Sequence, residues 1–170
     1  MSGETVLTVS DDSGLLGLVD ASAYRTFVGE DWEFERLLGH FNEEMARSRI
    51  LVWECGDGGD SYRIHARNGI TTRRGFRETI GSLIATTDTL FVSSYTALTM
   101  AAQFEDETLP GAGEDDQVIR IAPGEYRVRI IQMYDPESPS VDEDAPHFLL
   151  EFEPGTCEAW SRVAWLSEGS

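Results

Sequence analysis

Residues 125–134 constrain this chain more than any other stretch, because Tyr126, Val128, Ile130 and Tyr134 alternate with Arg127, Arg129 and Met133. A period of two is what a half-buried strand imposes, and the Pro123-Gly124 pair ahead of it supplies a turn. The same grammar recurs along the chain. Residues 4–9 and 15–19 read as two strands around the turn at 10–14, and residues 50–55 and 61–67 read as a hairpin about a glycine-rich turn at 56–59. Residues 76–101, broken near Thr87-Asp88, read as two further strands, followed by 118–121 and by 147–153 with Phe148, Leu150 and Phe152 inward.

One segment has a different period. Phe34, Leu37, Leu38, Phe41 and Met45 recur at helical spacing behind Asp31, a residue type that caps helices. Glu33 and Glu35 then fall near the positive end of the helix dipole and Arg47 near the negative end, while Gly39 weakens the helix by about 1 kcal/mol relative to alanine. Seven or more short strands and one amphipathic helix predict a mainly β fold, a β-sandwich, with α+β as the alternative. The length suits a single β-rich domain over residues 1–170.

Charge narrows the partners. The chain has 31 acids and 13 bases, a net charge of -18, and every base is arginine. That is far beyond the magnitude of roughly 2 to 8 that keeps a small domain soluble. An acidic, lysine-free surface disfavours direct binding of nucleic acid and attracts basic proteins. Residues 104–170 hold 16 acids and 4 arginines, against 15 and 9 in residues 1–103, so the field is concentrated in the later part. Two acidic loops carry it: Glu105, Asp106 and Glu107 with Glu114, Asp115 and Asp116, then Asp142, Glu143 and Asp144 in a proline-containing loop. These nine residues are the candidate partner-binding site, and both loops are expected to reach into solvent. An acidic housekeeping surface with no charge-dependent partner, as halophilic or arginine-preferring genomes produce, is a further alternative.

Against this background Arg63, Arg67, Arg73, Arg74 and Arg77 occupy a window without a single acid, with His65 between the first two. Arginine forks suit carboxylate and phosphate alike, so these six side chains form an alternative anion-binding or small-molecule site, or an enzyme's substrate pocket. Internal pairing with the abundant carboxylates is the competing reading. The pairs Glu151/Glu153 on a strand and Asp142/Asp144 in a loop have a spacing that composition alone supplies, and no nucleophile elbow or phosphate-loop sequence is present. His40, His65 and His147 are widely separated, and Cys55 and Cys157 have no metal spacing, so neither a catalytic set, a metal site nor a cofactor is expected. Trp32, Trp53, Trp160 and Trp165 are expected chiefly in the core rather than on a ligand-stacking face. With two cysteines, no export signal and no apolar run of membrane-spanning length, the expectation is a soluble cytoplasmic protein that uses no membrane.

The run from Pro123 to Tyr134, preceded by one acidic loop and followed by another and by the strand around Phe148-Leu149-Leu150-Glu151-Phe152, resembles the C-terminal half of small bacterial β-sandwich proteins. Among these it is similar to competence-associated nuclease inhibitors and to immunity proteins that neutralise secreted toxins. The resemblance implies a non-enzymatic protein that binds a basic nuclease or toxin stoichiometrically through its acidic loops.

Overall fold

The computed structural model describes residues 4–11, 13–56, 61–111, 113–137 and 145–166. Along the chain run β1 (Glu4–Ser10), β2 (Leu15–Val19), α1 (Phe34–Ala46), β3 (Ile50–Glu54), β4 (Ser61–Asn68), β5 (Arg77–Ala85), β6 (Thr89–Ser94), α2 (Tyr95–Gln103), β7 (Val118–Arg120), β8 (Gly124–Gln132) and β9 (Phe148–Pro154). They form a five-stranded sheet in the order β1-β4-β9-β8-β5 and a four-stranded sheet in the order β3-β2-β6-β7. All pairings are antiparallel except β4 with β9. The fold is mainly β, as the alternation predicts.

The alternating residues do what their period requires. Tyr62, Ile64 and Ala66 of β4, Val128 and Ile130 of β8, and Phe148, Leu150 and Phe152 of β9 meet Leu16, Leu18, Leu51, Trp53, Leu90 and Val92 of the other sheet in one core. Each such side chain, fully buried, contributes about 1.5–3 kcal/mol. The far face of the smaller sheet is covered too. Leu15, Val19, Ile50 and Val52 pack there against Leu37, Phe41 and Met45 of α1 and Leu98, Ala101 and Ala102 of α2. Buried on both faces, β2 and β3 are continuous apolar runs instead of alternating ones.

Three expectations are corrected. Residues 50–67 are not a hairpin: β3 pairs with β2 and β4 pairs with β1 and β9, so the glycine-rich connection carries the chain from one sheet to the other. Strands buried on both faces need neighbours that a lone hairpin does not provide. The second helix was hidden by the threonines of Tyr95–Gln103, whose weak propensity is overridden by the burial of Leu98, Ala101 and Ala102 and by the Ser94 hydroxyl accepting from the Ala97 N–H at 3.2 Å. Finally, α1 starts after Glu33, not after Asp31.

The strand order makes the link from β4 to β5 cross the outer face of the larger sheet over β9 and β8. Gly69 N–H donates to Phe152 O at 2.7 Å at one end of the crossing and Phe76 N–H to Gln132 O at 2.8 Å at the other. Beneath it lie Arg129 and Glu151, 5% and 0% exposed. The Arg129 guanidinium holds Glu78 with a fork of 2.6 and 3.0 Å, Glu151 at 2.8 Å, and the carbonyls of Thr71 and Arg73 at 2.9 and 2.6 Å. Glu151 in turn accepts from the Thr71 N–H and hydroxyl. The crossing is thus fastened by one arginine whose five donors are all used.

The C-terminal segment closes the side where β5 and β3 are sheet edges. The Trp160 indole donates to Ile80 O at 2.8 Å, Ala164 bridges to Trp53, and the Arg77 guanidinium stacks 4.4 Å from the Trp165 ring. Trp53 is fully buried and Trp32, Trp160 and Trp165 pack against the two cores, in line with their expected structural role. Both Cys55 and Cys157 are free thiols.

Candidate partner-binding site

Helix α2 organises the first acidic loop. Its N-terminus receives two carboxylates besides the Ser94 cap: Asp11 accepts from the Tyr95 N–H at 3.0 Å and Glu114 from the Ser94 N–H at 3.1 Å. Asp11 also accepts from the N–H groups of Gly14 and Ser13 at 2.7 and 3.2 Å, which folds the turn into β2. Negative charge at this end of a helix is favoured by its dipole. Burial, with Asp11 nearby, pushes the Tyr95 phenol above its ordinary range.

Glu114, expected to face a partner, is therefore buried and structural. The loop containing it is not wholly in solvent either. Leu109 is buried against the helical layer, and a Cβ on Gly111 would come within 2.8 Å of the Ala97 methyl. The middle of the loop is pinned to α2, and its two shoulders are left outside. Glu105 and Asp106 on one shoulder and Asp115 and Asp116 on the other are exposed, with Glu107 half-buried. Among the described residues none of these five makes an ion pair. Asp142, Glu143 and Asp144 lie outside the described residues.

The six residues of the arginine window are distributed over three places. Arg63, His65 and Arg67 share the outer face of β4, where the Arg63 Nε–H donates to Ala145 O at 2.9 Å and His65 meets Glu4 at 2.9 Å. Arg73 and Arg74 are exposed on the crossing. Arg77 points the other way, donating to the Gln132 side chain at 2.6 Å and to Glu54 O at 3.2 Å. It lines a cavity of about 350 Å³ shared with Phe76, Asp135, Glu137 and Trp165. Burial draws its guanidinium below the ordinary arginine range, with Glu54 opposing that shift. The window is continuous in sequence but does not converge on one concave site.

Sequence reasoning missed Asp11, which looks like any turn acid until α2 is known, and it missed the Arg129–Glu151 pair. A signal for the pair existed. In the register of β8 and β9, Arg129 and Glu151 are direct neighbours of opposite charge.

The candidate site is thus a set of carboxylates with no ion pair among the described residues, on a loop anchored to the sandwich. No family model matches the chain, and no curated protein matches it in sequence. Solved structures do share its fold. One, described as crocagin biosynthetic gene J, superposes with a TM-score of 0.58 at 14% identity over 90% of this chain and 96% of that one. Another is ComJ of Bacillus subtilis, described as an inhibitor of the DNA-degrading activity of NucA, with a TM-score of 0.50 at 9% identity over 89% and 96%. The resemblance to competence nuclease inhibitors read from the sequence holds as a weak likeness of fold. No helix among the described residues is long and apolar enough to cross a membrane.

Proposed function

We propose that this chain is a non-enzymatic binding protein that neutralises a basic protein, a nuclease or toxin, by occupying its phosphate-binding surface with carboxylates. The observation that carries this reading is the set of Glu105, Asp106, Glu107, Asp115 and Asp116, exposed or half-exposed and without an internal cation among the described residues, on a fold shared with a nuclease inhibitor. Asp142, Glu143 and Asp144 extend the contact in sequence, and Glu114 acts indirectly by anchoring the loop. Nucleic acid and such an inhibitor both offer closely spaced negative charge to the same cationic groups, and fields of this kind act chiefly on the rate of encounter.

The test is capture from a lysate of the source cell with the native chain at low and at high salt, followed by a DNA-degradation assay on the captured protein. The expected partner has a net positive charge, is released at high salt, and loses activity at one equivalent of the chain. Replacing Asp115, Asp116, Asp142, Glu143 and Asp144 with their amides should slow association and flatten its salt dependence. Captured proteins with no excess of positive charge, held equally at both salt concentrations, would remove the reading.

A further inference from the structure

The two ends of α2 are charged in opposite senses relative to its dipole. Asp11 and Glu114 sit where a carboxylate stabilises the helix, but Glu105, Asp106 and Glu107 follow directly on its C-terminus, and no base occupies its last turn. A helix C-terminus disfavours anions, so these three acids weaken the fold that presents them. The same place gathers exposed apolar surface. Val28 and Gly29 N–H groups both donate to Ala102 O, at 2.8 and 3.0 Å, which lays the 27–33 segment against the end of the helix. The backbone just after Phe27 therefore meets the chain two residues before Phe104, whose own N–H donates to Met100 O at 3.0 Å. Phe27, Met100 and Phe104 are 40%, 41% and 40% exposed.

The 27–33 segment then runs back along α2 towards its N-terminus, where Phe34 and Tyr95 line one cavity. Along that path it carries the exposed Glu30, Asp31 and Glu33. None of these six acids has an ion pair among the described residues, and the nearby Arg36 is held on Val28 O at 3.0 Å. Three large exposed apolar side chains gathered near Glu105, Asp106 and Glu107, with Arg36 the cation on the adjoining Val28, differ from the single exposed apolar residues that any protein shows. A second copy of this chain, at -18, would bring like charge to these acids.

We infer that the C-terminal end of α2 is the centre of the docking surface, with Phe27, Met100 and Phe104 receiving an apolar side chain of a basic protein whose flanking lysines or arginines meet Glu105, Asp106 and Glu107. This rests on the reading of the chain as an acidic binding protein and adds where the partner docks and what chemistry it must carry. Apolar anchors set how long a complex lasts, and rim charges set how fast it forms.

The experiment places the photo-crosslinking residue p-benzoylphenylalanine in the full chain at Phe104, and in a second sample at Val6, a large exposed apolar residue on the edge strand β1. Both are irradiated in source-cell lysate at low salt, and the adducts are identified. The expected adduct forms from position 104 and not from position 6, with a protein of net positive charge. Once purified, that protein should bind the Phe27→Ser/Phe104→Ser variant about tenfold more weakly or worse, with its salt dependence unchanged. The Glu105→Gln/Asp106→Asn/Glu107→Gln variant should associate more slowly while its thermal midpoint stays level or rises, an outcome that a purely structural role for these acids would reverse. No adduct at 104, adducts between copies of the chain, or a basic partner that crosslinks elsewhere would overturn the inference. In the last case the proposed function survives, whereas capture of no basic protein by the native chain removes both.

Discussion

Replacing Arg129 with methionine removes the cation beneath the β4–β5 crossing and leaves Glu151, 0% exposed, with only the Thr71 N–H and hydroxyl as donors. Breaking a buried pair from one side costs about 3–5 kcal/mol, because the remaining charge stays desolvated. For a domain of this size each kcal/mol moves the midpoint by about 2–4 °C, so the thermal transition should fall by about 6–20 °C. The pH dependence is the sharper check. In the native protein the hydrogen bond from Arg129 holds Glu78 below the usual carboxylate range, opposed by desolvation. A depressed folded value means stability that is present above the unfolded value of 4.5 and is lost as pH falls through the folded one. The variant lacks this contribution, because Glu78 no longer has the guanidinium that holds it down. Native stability therefore declines with acid more steeply than the variant's, and the two unfolding curves, measured by urea titration between pH 7 and pH 4, should converge. Adding Glu151→Leu to Arg129→Met should restore more than half of the loss at pH 7. A deficit under about 1 kcal/mol, or one constant with pH, would refute the assignment of the crossing to this arginine.

Two further outcomes follow from single residues. A Cβ on Gly81 would come within 2.7 Å of both the Leu51 side chain and the Trp160 ring, so Gly81→Ala should cost about 1–3 kcal/mol and shift tryptophan fluorescence towards that of exposed indole; an unchanged spectrum would contradict the packing of the C-terminal segment. His147 accepts from the Arg63 N–H at 2.9 Å through Nδ1, and burial followed by the Arg63 charge lowers it from the ordinary 6.5. The unfolded chain then binds the proton first, so this contribution is present above pH 6.5 and lost below it; His147→Gln should flatten the fall in stability between pH 6.5 and pH 5, and an unaltered slope would count against it.

What the sequence disclosed depended on whether a residue's surroundings lie near it in the chain. The periods of β4, β8 and α1 could be read because alternation and helical spacing are local, and each of those elements keeps one face in water or under a thin cover. Residues 50–67 looked like a hairpin because the glycines specify a reversal without specifying which strands it joins. The pairing of β3 with β2 and of β4 with β1 is decided by burial across the two sheets. Helix α2 failed the local test for the same reason: a threonine-rich nonapeptide is held helical by Leu98, Ala101 and Ala102 against β2 and β6, and by acceptors at Asp11 and Glu114 that lie far from it in sequence. The acidic loop could be located and its division into anchored and free residues could not, since Glu114 and Asp115 are adjacent letters of the same charge.

That division changes what a net charge of -18 signifies. Acids that serve the fold are identifiable by what they hold: Asp11 and Glu114 accept from the start of α2, Glu44 accepts from the Arg25 N–H and pairs with Arg49, and Glu151 lies beneath the crossing. A uniform adaptation to salt would scatter the remaining acids without regard to the dipoles they sit on. Glu105, Asp106 and Glu107 are instead stacked at the one end of α2 that opposes them, next to apolar side chains that water opposes as well. Both penalties disappear on contact with a surface that supplies cations around an apolar centre. On the proposed function one kind of partner relieves both, whereas a charge set by composition alone predicts that the Glu105→Gln/Asp106→Asn/Glu107→Gln variant associates with every protein as the native chain does.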